Sequence, residues 1–93
     1  MLDWTESAVV LVIEDRPEMR DLLRRTLREA GCVVHEAEDG DRGLALAREV
    51  GPDLIILDVG LPGTDGLAVA QALRARRDET PVLTLMRAPT TIS

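Results

Sequence analysis

The chain is predicted to be an α/β protein, a doubly wound parallel sheet with helices on both faces. Two observations carry that expectation. Short apolar runs rich in β-branched residues alternate with stretches of helical periodicity, in the order β-α-β-α-β-α-β. The runs "AVVLVI" and "LIIL" are continuous rather than alternating with polar residues, as strands buried on both faces require. A third observation says where chemistry belongs. Two of the predicted strands end on carboxylates, at the rim where open parallel sheets place their sites.

The elements follow in order. "AVVLVI", Ala8 to Ile13, is the first strand. In "EDRPEMRDLLRRTLREAG", Met19, Leu22, Leu23, Leu27 and Ala30 fall near helical spacing, and Gly31 supplies a C-terminal stop. "CVVHEA" is a second, shorter strand, and "DGDRGLALAREVG" a short helix turning Leu44, Ala47 and Val50 inward. Pro52 restarts the chain into a strand over Asp53 to Leu57. A third helix covers Leu67 to Arg76, with Leu67, Ala70 and Leu73 on one side. "TPVLTLM" is a fourth strand opened by Pro81, where a missing N–H is tolerated. No linker, repeat or low-complexity tract interrupts this order, so the 93 residues are expected to form one domain.

Composition removes several function classes. With 45% hydrophobic and 30% charged residues, the chain is globular rather than disordered. Trp4 is the only aromatic residue, so the core must be aliphatic. A net charge of -6 leaves no basic face for a phosphate backbone, which argues against nucleic-acid binding. The single Cys32 excludes an internal disulfide framework and fits a reducing compartment. The start "MLDWTESA" is not a signal peptide and no apolar run approaches membrane-spanning length, so the expected location is cytoplasmic, with no membrane partner.

The segment "LIILDVGLPGTDG", Leu54 to Gly66, runs an aliphatic strand into Asp58 and then turns at once. An ionised carboxylate is costly to bury, so it belongs at an exit to water or beside a cation. The first strand ends in Glu14-Asp15. If the first and third strands are neighbours, three carboxylates meet at one rim. Such a cluster needs a cation or raised pKa values. An all-oxygen donor set without His or Cys suits a hard ion such as Mg²⁺, which could neutralise a phosphoryl group moving onto a carboxylate nucleophile. Asp58, leading into a glycine-rich turn, is the natural nucleophile, and Gly60 can offer its carbonyl to a metal. Each residue also has a plainer role. Asp15 could cap a helix with Glu18 three residues on and Pro17 between. Glu14 could be a solvated strand end, and Asp58 a polar exit. Asp65-Gly66 reads as a cap before the third helix. His35, on a short edge strand, is expected at the surface, and Arg24, Arg25 and Arg28 on the solvated face of the first helix.

"VLVIEDRPEMRDLLRRTLREAG", "EAEDGDRGLALA" and "PDLIILDVGLPGTDGLAVAQALR" together resemble the phosphoacceptor receiver domain of bacterial two-component response regulators, over about Ala8 to Leu85. The resemblance implies a flavodoxin-like sheet of strand order 2-1-3-4-5, which sets strands one and three side by side. It implies that Asp58 accepts a phosphoryl group from a sensor histidine kinase, a phosphotransfer protein or a small phosphodonor. It further implies that Asp15, Asp58 and the Gly60 carbonyl bind Mg²⁺, with Glu14 acting from the outer shell.

The chain departs from the family in three places. The register of "TPVLTL" puts Met86 where the family has Thr or Ser, and a thioether cannot donate that hydrogen bond. The family's Lys after the fifth strand has no counterpart. The fifth strand and fifth helix are missing, which implies a truncated receiver with impaired switching and self-association through uncovered sheet. All eleven basic residues are Arg, and Lys, Asn, Phe and Tyr are absent, which marks a GC-rich coding sequence. A shifted reading frame is therefore one expected origin of the ending "MRAPTTIS". Two alternatives remain beside phosphorelay. One is a receiver-like interaction module that is not phosphorylated. The other is an aspartate-nucleophile phosphatase, which generally wants a second acid where this chain has Gly60.

Overall fold

A computed structural model of the chain describes residues 8–58 and 66–85. Gly60, Asp65, Met86 and the tail to Ser93 lie outside the described residues, as does Trp4. The order of elements is the expected one: β1 (Val9–Ile13), α1 (Pro17–Glu29), β2 (Val33–Ala37), α2 (Gly40–Val50), β3 (Leu54–Asp58), α3 (Gly66–Ala75) and β4 (Val82–Leu85). All strand pairs are parallel, in the order β2-β1-β3-β4. This is the flavodoxin-like winding, and the described residues contain neither a fifth strand nor a fifth helix.

The strands pack on both sides because their residues alternate between two aliphatic layers. Leu11, Ile13, Ile55 and Leu57 face α2 and α3, joined there by Ala37, Ala47, Val69 and Leu73. Val10, Val12 and Ile56 face the other way, toward Leu23 and Leu27 of α1. β2 is an edge strand, and His35 upon it is half-buried.

Local signals account for the helix ends. The Asp39 side chain caps α2 by accepting the Arg42 N–H at 2.8 Å, and Gly51 closes that helix in the left-handed region at φ 61°. Gly31, after α1, has φ 94°. A second device joins the start of β1 to β3. The Asp53 side chain accepts the Val9 N–H at 2.8 Å, and the Asp53 N–H donates to the Val9 carbonyl at 2.7 Å.

The expected inward face of α3 needs correction. Leu67 is 66% exposed, whereas Val69 and Leu73 are fully buried. The spacing Leu67, Ala70, Leu73 is helical, but so is Val69 to Leu73. Packing against Leu57 and Ile55 selected the second stripe. Leu22, one of the apolar residues of α1 near helical spacing, is likewise exposed.

Candidate metal and phosphoacceptor site

β1 and β3 are direct neighbours, with Ile13 opposite Leu57. Glu14 and Asp58, one residue further on, therefore reach the carboxyl rim side by side. One carboxylate oxygen from each of Glu14, Asp15 and Asp58 lies within 4.8 Å of the other two. The backbone holds this arrangement. Asp58 is the last residue of β3 and stands opposite Leu85 of β4. The Glu14 N–H continues the sheet ladder by donating to the Ala37 carbonyl at 3.0 Å.

Glu14 and Asp58 are each only 1% exposed. Glu14 is thus not a solvated strand end, and Asp58 is not an exit to water. Asp15 is not at the cap position of α1. The cap position falls on Arg16, which makes no side-chain cap bond. With Pro17 as the first helical residue, Glu18 is the second rather than the third, and a capping box needs the third. The helix begins one residue later than that pattern requires, leaving Asp15 at the rim, half-buried, as part of the carboxylate cluster.

The site holds a cation of its own. Arg16 Nε lies 2.5 Å from Glu14 Oε1, and Arg20 donates to the Glu14 carbonyl at 3.0 Å. Arg20 and Arg24 both pair with Glu36 on β2, at 3.8 and 3.4 Å. Arg24 also pairs with Asp21, so this part of α1 is a buttress between helix and sheet rather than a freely solvated face. The exposed Arg25 keeps its expected place on the surface. Arg16 and Arg20 were not singled out from the sequence. The available signal was a basic residue directly after two adjacent acids at a strand end, a place from which it can neutralise them.

Electrostatics follow the geometry. Burial pushes the Glu14 carboxyl above its ordinary range, the adjacent Asp58 carboxyl pushes it further, and Arg16 pulls it back. The Arg16 guanidinium is held more firmly protonated, first by its bond to Glu14. Glu14 Oε2 is buried and has no hydrogen-bond partner among the described residues. A buried carboxylate oxygen without a partner is costly unless a cation or proton meets it. Three carboxylates that bring one oxygen each within 4.8 Å of the others can hold a metal ion, and an all-oxygen donor set fits a hard divalent one. Beside the site, a cleft of about 320 Å³ runs between α1, β2 and the start of α2, lined by Arg20, Glu36, Ala37, Glu38, Asp39 and Arg42.

Comparison with known proteins agrees with this architecture. The family described as the response regulator receiver domain matches residues 10–90. The transcriptional regulatory protein ResD of Bacillus subtilis is 38% identical over 84 residues, covering 90% of this chain and 35% of that protein. The transcriptional activator protein IrlR of Burkholderia pseudomallei is 49% identical over 76 residues, covering 82% of this chain and 33% of that protein. The chain thus spans about a third of the length of these curated relatives. Among solved structures, the Francisella response regulator 1452 receiver domain superposes with a TM-score of 0.85 at 28% identity, covering 91% of this chain and 70% of that one. The response regulator TrrA of Thermotoga maritima, solved in complex with Mg(2+)-BeF, gives a TM-score of 0.83 at 33% identity, covering 88% and 71%. By its fold, its acidic rim and these relatives, the chain belongs to the response regulator receiver domain family.

Proposed function

We propose that residues 8–85 act as a single receiver domain in a phosphorelay, in which Asp58 accepts a phosphoryl group. The observation that carries this is the burial of Asp58 at the end of β3, beside Glu14 and Asp15, in a member of this family. In this reading Asp15, Asp58 and the Gly60 carbonyl hold Mg²⁺, and Glu14 supports it from beyond an intervening water. The Thermotoga relative, solved with Mg(2+)-BeF, supports the choice of ion. Bound there, Mg²⁺ would offset the negative charge of the phosphoryl oxygens.

The chain's own part is nucleophilic. An Asp58 carboxylate oxygen forms a bond to phosphorus as the bond to the donor's leaving group breaks, and the leaving group takes up a proton. The product is an acyl phosphate, later cleaved by water. The donor is a sensor histidine kinase or a phosphotransfer protein, met in the cytoplasm. The domain assists its own phosphorylation and dephosphorylation and is not an enzyme acting on separate substrates.

Incubation with a small acyl phosphate and Mg²⁺, followed by hydroxylamine trapping and peptide mass mapping, tests the assignment. The adduct is expected on Asp58 alone and absent from Asp58→Asn. Equal labelling of that variant would remove Asp58 as the acceptor. No labelling of either form would favour a receiver-like module that binds partners without being phosphorylated.

A further inference from the structure

We infer that Arg16 is a built-in counter-cation of the acidic site, and that a divalent ion binds only in competition with it. The inference rests on the metal-binding reading above and adds a regulatory group to it. Three observations carry it. The Arg16 guanidinium lies 2.5 Å from one oxygen of the buried Glu14 carboxylate. The other oxygen, Oε2, is buried without a hydrogen-bond partner among the described residues. Asp15 and Asp58 present carboxylate oxygens within 4.8 Å of Glu14's and also attract Arg16 electrostatically.

The physical argument is one of charge balance. A buried carboxylate is costly unless a cation or a proton meets it, and without a metal ion Arg16 supplies the cation. It supplies only one charge for three converging carboxylates, and from one side, which leaves Oε2 unmet. A divalent ion among the same carboxylates would bring a second cation close to the guanidinium. Like charges a few ångströms apart in a partly buried site repel strongly, whether the ion touches Glu14 directly or through a water. Arg16 can yield because its side chain is 34% exposed and sits at the turn before α1, next to solvent. Arg16 thereby lowers metal affinity, and with it the occupancy of the form competent for phosphorylation.

The test is a Mn²⁺ titration of the full 93-residue chain, with free Mn²⁺ read by electron paramagnetic resonance at physiological ionic strength. There, charges more than about 8 Å from the site are largely screened. Arg16→Gln should bind Mn²⁺ about tenfold more tightly or better, since a unit charge 4–6 Å away shifts an ionisation equilibrium by one to three powers of ten. Arg16→Lys, which keeps the charge, should stay near the parent. Arg25→Gln, which removes an exposed charge on α1, should leave affinity unchanged. In the unsubstituted chain, the Arg16 Nε–H resonance should lose its protection from solvent exchange as Mg²⁺ is added.

Equal or weaker binding by Arg16→Gln would overturn the inference while leaving the metal site standing, as would an equal gain in Arg25→Gln. An Nε–H that stays protected at saturating Mg²⁺ would overturn it too, and needs no variant to fold. If only Arg16→Gln binds the ion, the competition is confirmed in its strongest form. If neither the parent nor Arg16→Gln binds Mn²⁺, the metal-binding reading itself falls and takes the inference with it.

Discussion

The two faces of the sheet are covered very differently. On one, α2 and α3 bury Ala47, Val69 and Leu73 against Leu11, Ile13, Ile55 and Leu57. On the other, Val10, Val12 and Ile56 are equally inaccessible, yet α1 contributes no fully buried residue. Its Leu23 and Leu27 are only partly buried. Leu83 of β4 lies on this second face by strand alternation and is 53% exposed among the described residues. β1 and β3, the strands that carry Glu14 and Asp58, are central to both layers, so the acidic rim is supported even where the outer cover is thin.

This contrast can be broken by cavity formation. Leu73→Ala on the densely covered face should cost about 2–5 kcal/mol, the usual range for a fully buried leucine. Leu27→Ala on the α1 face should cost roughly half as much, because its side chain is already partly in water. Urea unfolding midpoints of the two variants decide it. Equal losses would mean that the two faces are packed alike.

Overpacking gives the next effect. An added methyl at Gly43 would come within 2.8 Å of Ile13 Cγ1 and overlap the end of that side chain. α2 lies this close to β1 only because residue 43 has no side chain. Gly43→Ala should therefore destabilise by about 1–3 kcal/mol despite its better helix propensity. A thermal melt reads the result, and an unchanged transition would show that α2 can move away freely.

The smallest expected effect concerns the link between α3 and β4. Asp78 accepts bonds from the Thr80 hydroxyl at 2.5 Å and the Thr80 N–H at 3.0 Å, which hold its carboxyl below the ordinary range. Arg76 ties the same turn to α2 by donating to the Leu44 carbonyl at 3.2 Å. A carboxyl depressed in the folded state contributes stability that is fully present above its unfolded pKa. That contribution is lost as pH falls through the lower, folded value. Thr80→Val, which deletes the hydroxyl donor, should make stability fall less steeply between pH 5 and the acid end of that window. Unfolding midpoints measured across that range check the sign, and parallel profiles for parent and variant would contradict it.

Much of this molecule was determined by local sequence. Continuous β-branched runs specified strands buried on two faces. "DGDRGLALAREVG" specified α2, which Asp39 and Gly51 close at its two ends, and the carboxylates at two strand ends marked the rim. The family resemblance then set β1 beside β3, which brings Glu14 and Asp15 to Asp58.

What the sequence left open were choices among residues with equal local claims. Leu67 and Val69 both satisfy a helical period, and burial against Leu57 and Ile55 selected Val69. Asp15 had both a capping pattern and a rim position, and the start of α1 at Pro17 assigned it to the rim. Glu14 could have ended in water. The ladder bond to Ala37 places it inside the rim instead. Burial there favours a counter-cation, and the turn before α1 supplies Arg16. Periodicity and capping act over a few residues and are written along the chain. Burial, and the charge compensation it demands, arise only when segments distant in sequence meet, and the tertiary structure alone decides them.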